Sequence, residues 1–374
     1  MRSVARRYGV SLSTVQWWVR RAGNRRLAAV EWGTRTPIPQ HVHRTDTAVE
    51  DLVLRLRREL KDLSALGEYG AKAIHYELSA RGLSSVPSVR TIGRILARRG
   101  ALDDRRRIRR PPPPPGWYLP DLAERRAELD SFDIVEGLAL VGGIRLEVLN
   151  VVALHGGLPG SWPQPLVTAK SAVTALLEHW HTFGRPAYAQ FDNDSVFQGE
   201  HRGRDTLGRV VRTCLQLEVI PVFVPPLETG FQAAVESFNG RWQAKVWTRF
   251  RHDSLAALDE RSRCYLRAYR QRAAPRIEAA PSRRPFPSSC WEADLQAPPA
   301  GVVIFLRRTS EAGTVRLLGH HFEVTPTWPH RLVRCEVHLR DELIRFYALR
   351  RREPDHQPLL RETSYVFPRK RFRG

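Results

Sequence analysis

Five consecutive prolines, Pro111 to Pro115, divide this chain. Such a run has no amide hydrogens to give to a helix or a sheet ladder, and its φ is fixed near −65°. It must be extended and lie outside any regular element. The chain on either side therefore has to fold without pairing through it. Residues 111–123 are assigned to a stiff proline-rich linker, preceded by the basic cluster Arg105 to Arg110.

The segment before the prolines predicts helices. "SVARRYGVSLSTVQWWVRRAG" gives a short helix from Ser3 to Tyr8, a turn at Gly9 and a helix from about Ser13 to Arg21, capped by Ser11 or Ser13. Val4, Ala5, Val10, Val15 and Val19 form its apolar face, while Ser13, Thr14, Gln16, Trp17 and Arg20 face outward. This is a helix-turn-helix pattern over 1–45, with those five polar and aromatic side chains as DNA contacts. Residues 46–62 form an amphipathic helix. A helix about Ile74 and Leu78, a turn at Ser85 to Ser88 and a helix marked by Val89, Ile92, Ile95 and Leu96 then make a second such unit. It spans 46–110, with Ser88, Arg90, Thr91 and Arg94 as its contacts.

Beyond the linker the texture changes. Two strand-like runs flank Gly142-Gly143, a hairpin signal. A helix capped by Thr168, a strand over 187–191, a helix in "TLGRVVRTCLQL", a strand in "EVIPVFVPP" and a long helix from about 231 to 250 follow. Alternating strands and helices predict an α/β domain over 124–275. Short strands with turns predict a small β-barrel over 300–352, and 353–374 reads as a basic tail.

Charge bounds the partner. The chain has 374 residues, with 60 Lys+Arg against 39 Asp+Glu and a formal charge of +21. Phosphate neutralisation is the usual reason for such an excess, which points to a polyanion, and the two helix-turn-helix units make double-stranded DNA the expected one. The excess is nearly all Arg, in part a mark of a GC-rich genome. The four cysteines, Cys214, Cys264, Cys290 and Cys335, form no CxxC pair and fit a reducing cytoplasm. No apolar run reaches membrane-spanning length, so no membrane partner is expected. The expected location is cytoplasmic.

Carboxylates supply the chemistry. In "AYAQFDNDSVFQGEHRGRD" an apolar run leads into Asp192-Asn193-Asp194, and Glu236 lies in the long helix. Asp130 and Asp133 on the first strand are candidates for a third acid. Three such carboxylates brought together repel unless a cation neutralises them, and oxygen-only ligands suit Mg²⁺ or Mn²⁺. Two such ions can activate a water or hydroxyl and stabilise the leaving oxygen of a phosphodiester. Arg241 and Lys245, beyond Glu236 on the same helix, are placed to hold DNA phosphates.

The segments "FDIVE", "FDNDSVF" and "ETGFQAAVESFNGRWQAKVW" resemble the catalytic core of the retroviral-integrase superfamily, and within it the DDE transposases of bacterial insertion sequences. The resemblance covers roughly 125–250. It implies a ribonuclease-H-like fold, two divalent ions per active site, and cleavage and strand transfer at mobile-element ends. It also implies that Asp192 and Glu236 are the second and third acids, that Asn239 completes a helical Glu-x-x-Asn motif, and that Phe197 is the aromatic after the Asp-Asn pair. The first acid falls on Asp133, with Asp130 the alternative. Asp194 stands where the family usually has glycine, and the gap to Glu236 is longer than usual. Joining two element ends needs two active sites, so a DNA-induced homo-oligomer is expected. The competing expectation is a catalytically inert, domesticated relative that binds specific DNA or scaffolds an assembly.

Overall fold

A computed structural model describes residues 1–30, 32, 45–63, 69–102, 114–199, 203–288, 290–369 and 371–372. The chain divides into two compact units, Met1–Arg55 and Leu56–Gly374. In the first, α1 (Arg2–Tyr8) and α2 (Leu12–Ala22) meet at Gly9, whose φ of +62° is the left-handed conformation a helix stop favours. Ser11 caps α2, its hydroxyl accepting from the Thr14 amide at 3.1 Å. Ala5 and Val15 are buried, and Ser13, Thr14, Gln16, Trp17 and Arg20 are exposed. Next in the chain is α3 (Thr47–Leu63).

In the second unit α4 (Ala71–Ala80) and α5 (Val89–Arg98) bury Ile74, Leu78, Ile92, Ile95 and Leu96, the stripes their 3.6-residue period dictates. Ser88 caps α5 through the Thr91 amide at 3.2 Å. The Ser88 and Thr91 hydroxyls also pair at 2.9 Å, so both are engaged in the cap. Arg90 and Arg94 are exposed.

The linker assignment needs correction at its end. Residues 103–113 lie outside the described residues, but Trp117, Tyr118, Leu119 and Leu122 are core. Gly116, at φ +73°, lets the chain turn in against Leu122, where a Cβ would meet the Leu122 Cβ at 2.6 Å. A short helix, α6 (Pro120–Ala123), follows.

The core opens with an antiparallel meander: β1 (Leu129–Ala139), β2 (Arg145–Ala153) and β3 (Pro159–Gln164). Gly142 and Gly143 turn β1 into β2 at φ +94° and +82°. Next come α7 (Ala169–Phe183), β4 (Tyr188–Phe191), α8 (Ser195–Gln198), α9 (Arg209–Gln216) and β5 (Ile220–Phe223). β1, β4 and β5 are parallel neighbours. Thr168 and Ser171 close a capping box at the start of α7. The expected helix over 231–250 is shorter and changes pitch. It runs as α10 (Ala233–Trp242), then as a π-turn over Gln243–Trp247. α11 (Leu255–Glu278) packs against that turn and β3.

The expected C-terminal barrel is replaced by an extension of the core sheet. β6 (Val302–Arg308) lies parallel to β5, with Phe223 opposite Phe305. β7 (Thr314–Leu317) and β8 (His320–Glu323) pair as a separate hairpin. β9 (Leu332–His338), β10 (Leu343–Ala348) and β11 (Leu359–Ser364) continue antiparallel from β6. The sheet has nine strands in the order β11-β10-β9-β6-β5-β4-β1-β2-β3. β11 also takes 359–364 out of the expected loose tail, and Tyr365 after it is buried.

A row of rings explains the continuity. Phe132, Phe191, Phe223 and Phe305 come from β1, β4, β5 and β6, with neighbouring centroids 5.4, 6.0 and 5.2 Å apart. All four are fully buried. Each contributes about 1.5–3 kcal/mol by leaving water, and this burial favours β6 beside β5. α7 and α9 cover this face. α10 and α11 cover the opposite face over β1 and β2, where Val135, Val148, Phe238 and Trp242 pack together. This α/β architecture with a mixed sheet is consistent with the expected ribonuclease-H-like core. No helix among the described residues is long and apolar enough to cross a membrane.

Candidate active site

Strand alternation separates the two first-strand acids. Asp130 shares the Phe132 face, under α7, and Asp133 points the other way, toward α10. Asp130 is fully buried and its oxygens are committed. Arg283 donates to both, at 2.9 and 2.5 Å, and the Trp180 indole donates at 2.9 Å. Burial alone would raise its carboxyl, but Arg283 outweighs that and holds it below the usual range. His179 sits 3.7 Å away, and burial pushes its ring down to about 4, so it faces Asp130 neutral. This is a structural ion pair.

Asp133 is in the opposite situation. Its carboxyl is pushed up to about 6, first by burial, then by the negative charges of Asp192 and Glu236. Acids from β1, from the end of β4 and from the first turn of α10 therefore share one electrostatic neighbourhood. Asn239, one turn beyond Glu236, donates from Nδ2 to Asp133 Oδ2 at 2.6 Å. The Asn239 Oδ1 in turn accepts from Asn150 Nδ2 at 2.8 Å. Asn150 lies opposite Asp133 on β2 and is fully buried, so this relay fixes the Asp133 rotamer from beneath.

The turn after β4 is held as firmly. Asp192 Oδ1 accepts the Asp194 amide at 3.0 Å, which closes the turn locally. The Asp194 carboxylate accepts the Val196 amide at 2.7 Å and caps α8. That gives the acid in the usual glycine position a structural duty. Asn193 donates to the Val224 carbonyl at 2.8 Å. Arg307 of β6 donates to Asn193 Oδ1 at 2.9 Å and to the Val224 carbonyl at 3.1 Å. Burial lowers the Arg307 guanidinium to about 10. Phe197 is buried and stacks on Phe191 at 4.9 Å, anchoring α8 to the sheet.

Glu236 is exposed on α10, above a face that buries Val235, Phe238 and Asn239. Among the described residues no three Asp, Glu, His or Cys side chains converge into a ready cation cage. Coulomb coupling reaches beyond ligation distance, so the raised Asp133 carboxyl and this spacing agree. The donors are all carboxylate oxygens with surplus negative charge, the set that hard divalent ions fit. Arg241 and Lys245 are exposed beyond Glu236 and line a basic hollow with Arg249, Arg261 and Arg272. Arg241 also donates to the Ser237 carbonyl at 3.1 Å.

Two participants escape sequence reading. Asn150 left a faint signal, one amide in the apolar run "LEVLNVVAL". Arg307 left none, because its partner is 114 residues away in the chain.

No family model matches the chain, and no curated protein matches it. Among solved structures it is similar to one described as a simian T-cell lymphotropic virus intasome in complex with PP2A regulatory subunit B56 gamma. The identity is 14%, over 66% of this chain and 80% of that chain, with a TM-score of 0.35. The HTLV-2 integrase catalytic core in complex with magnesium, in its trimeric form, matches at 14% identity over 37% and 81%, with a TM-score of 0.28. The BIV integrase catalytic core matches at 17% over 36% and 80%, also at 0.28.

Proposed function

We propose that this chain is a DNA transposase or integrase, a DDE-type polynucleotidyl transferase that cleaves and joins DNA at the ends of a bacterial mobile element. The observation that carries the reading is the Asp133 carboxyl, pushed up to about 6 beside Asp192 and Glu236 and held in place by Asn239. Strand, strand end and helix each contribute one acid, and a fold has no structural use for such a repulsive set.

Asp133, Asp192 and Glu236 are the ligands for Mg²⁺ or Mn²⁺, two ions in the full site. Bound there, the ions supply an activated water or 3′-hydroxyl and neutralise charge on the leaving oxygen. The chain's own residues set the geometry. Asn150 and Asn239 orient Asp133, and Arg307 with Asn193 fixes the turn that presents Asp192. Arg241 and Lys245 take substrate phosphates.

In this reading α1–α2 and α4–α5 are the sequence-reading units. Ser13, Thr14, Gln16, Trp17 and Arg20 of the first are exposed and suited to base-edge and phosphate contacts, as are Arg90 and Arg94 of the second. The working species is a DNA-induced homo-oligomer associated with the nucleoid. The test incubates full-length protein and Mn²⁺ or Mg²⁺ with labelled duplexes taken from the DNA flanking its own gene. Nicking and joining are expected from the wild type and not from Asp192→Asn or Glu236→Gln. Wild-type activity in either variant refutes the site. Duplex binding by the wild type without any cleavage assigns the chain to the inert, DNA-binding alternative.

A further inference from the structure

A second concentration of cations lies on the C-terminal strands, away from the three acids in sequence and on different elements. Arg308 at the end of β6, Arg331 before β9, and Arg350, Arg351 and Arg352 after β10 surround a hollow of about 750 Å³ floored by Trp328. Trp328 is fully buried and donates to the Leu332 carbonyl at 3.0 Å. The Arg331 and Arg350 guanidinium carbons both stack on its ring, at 4.7 and 5.1 Å. Two guanidiniums gathered on one indole repel each other across a partly dry space, and burial together with Arg350 lowers Arg331.

Arg350 is the decisive residue. Its side chain is 13% exposed and its Nη1 donates to Glu353 at 2.7 Å. Its Nε and Nη2 are buried without any hydrogen-bond partner. Two orphaned donors on a permanently charged group are destabilising unless an acceptor arrives. Nε and Nη2 form the side edge of the guanidinium fork, which matches two oxygens of one phosphoryl group. The neighbouring acids do not fill the role. Glu353 takes Nη1 alone, and Glu228 pairs with Arg308 and Arg351.

We propose that this hollow binds a phosphoryl oxyanion, and that the phosphodiester backbone of a DNA strand supplies it. Arg350 takes two phosphate oxygens from the floor, and Arg331 takes the same group from the side. The rim reaches the first site mechanically. Arg351 also donates to the Thr229 carbonyl at 2.9 Å, and Glu228 and Thr229 belong to the loop that leads into α10. The site itself does not depend on the three-acid reading.

The test uses the full chain. Its melting midpoint is measured in sodium phosphate and in sodium chloride at matched ionic strength and pH, and a labelled short duplex is titrated over a salt series. Phosphate should raise the wild-type midpoint above chloride. Arg350→Met should lose that increment while melting no lower than wild type in chloride, since it removes an uncompensated charge. It should bind the duplex roughly 5- to 10-fold more weakly, with a salt slope lower by about one. Arg331→Gln carries the same expectations should Arg350→Met fail to fold. A wild type that melts identically in phosphate and chloride overturns the site. An increment lost in both variants, with duplex affinity and slope unchanged, overturns the DNA source and leaves free phosphate as the ligand. Asp133→Asn should keep both responses, so failure of the catalytic reading is seen separately.

Discussion

Replacing Asp133 by Asn should make the protein more stable at neutral pH and inactive at once. The carboxyl lies at about 6 in the folded chain against an ordinary 3.8. One unit is worth 1.36 kcal/mol, so the displacement corresponds to about 3 kcal/mol, or about 2 kcal/mol after allowing for the solvent that reaches this half-buried group. The sign follows from proton binding. The folded state holds the Asp133 proton more tightly than the unfolded state does. The contribution of this group to stability is therefore fully present below pH 3.8, is lost as pH rises from 3.8 to about 6, and leaves the full penalty above that. Asn cannot ionise, yet its carbonyl oxygen still accepts the Asn239 amide. Urea unfolding of both proteins at pH 7.5 and pH 4 reads the difference. At pH 7.5 the variant should be more stable by about 2 kcal/mol, about 3–6 °C in midpoint. At pH 4 the two should nearly coincide. Added Mg²⁺ should raise the wild type and narrow the gap at pH 7.5. A variant less stable than wild type at pH 7.5, or a gap equal at both pH values, would refute the idea that Asp133 is held against the charges of Asp192 and Glu236.

Three further outcomes follow from the same geometry. Asp130→Asn should cost about 3–5 kcal/mol, because it strands Arg283 without its buried counterion; chemical denaturation measures this, and a neutral result would return Asp130 to the active site. Asn239→Leu should cost about 1–3 kcal/mol by orphaning the Asn150 amide, and should abolish joining while duplex affinity stays at wild-type level. Arg307→Met should lower the strand-transfer rate about tenfold or more with unchanged duplex affinity; a loss confined to DNA binding would show that the brace on Asn193 is irrelevant to the chemistry.

The sequence exposes those parts of this molecule that depend on neighbours in the chain. Gly9, Ser11, Ser88 and Thr168 mark helix ends by local hydrogen bonding, and each stands at the boundary expected of it. The hairpin at Gly142-Gly143 is legible for the same reason. The site is legible in outline, because alternation on β1 puts Asp130 and Asp133 on opposite faces. Choosing between them needs Arg283 and Asn239, which lie 153 and 106 residues away from their respective partners. The C-terminal strands mislead because alternation fixes a strand's two faces but not its neighbour. Only the ring row ending at Phe305 reveals that β6 belongs beside β5.

That shared sheet governs how the molecule can be cut. In a chain of independent modules, the α/β segment over 124–275 would be a natural fragment to express alone. Here a chain ending at 275 would leave β5 as a bare edge, with the backbone groups that now pair with Ile304 and Phe305 open to any passing strand. It would also lack Arg283 under Asp130 and Arg307 behind Asn193. Such a fragment is a misfolding and aggregation hazard, and its silence in an assay would say nothing about the intact protein. The smallest piece worth purifying runs from Gly116 to Phe372, since Phe367 packs on the core and Phe372 exchanges hydrogen bonds with Gln296 and lies under Arg212, so insertions, tags and domain exchanges belong outside those two residues.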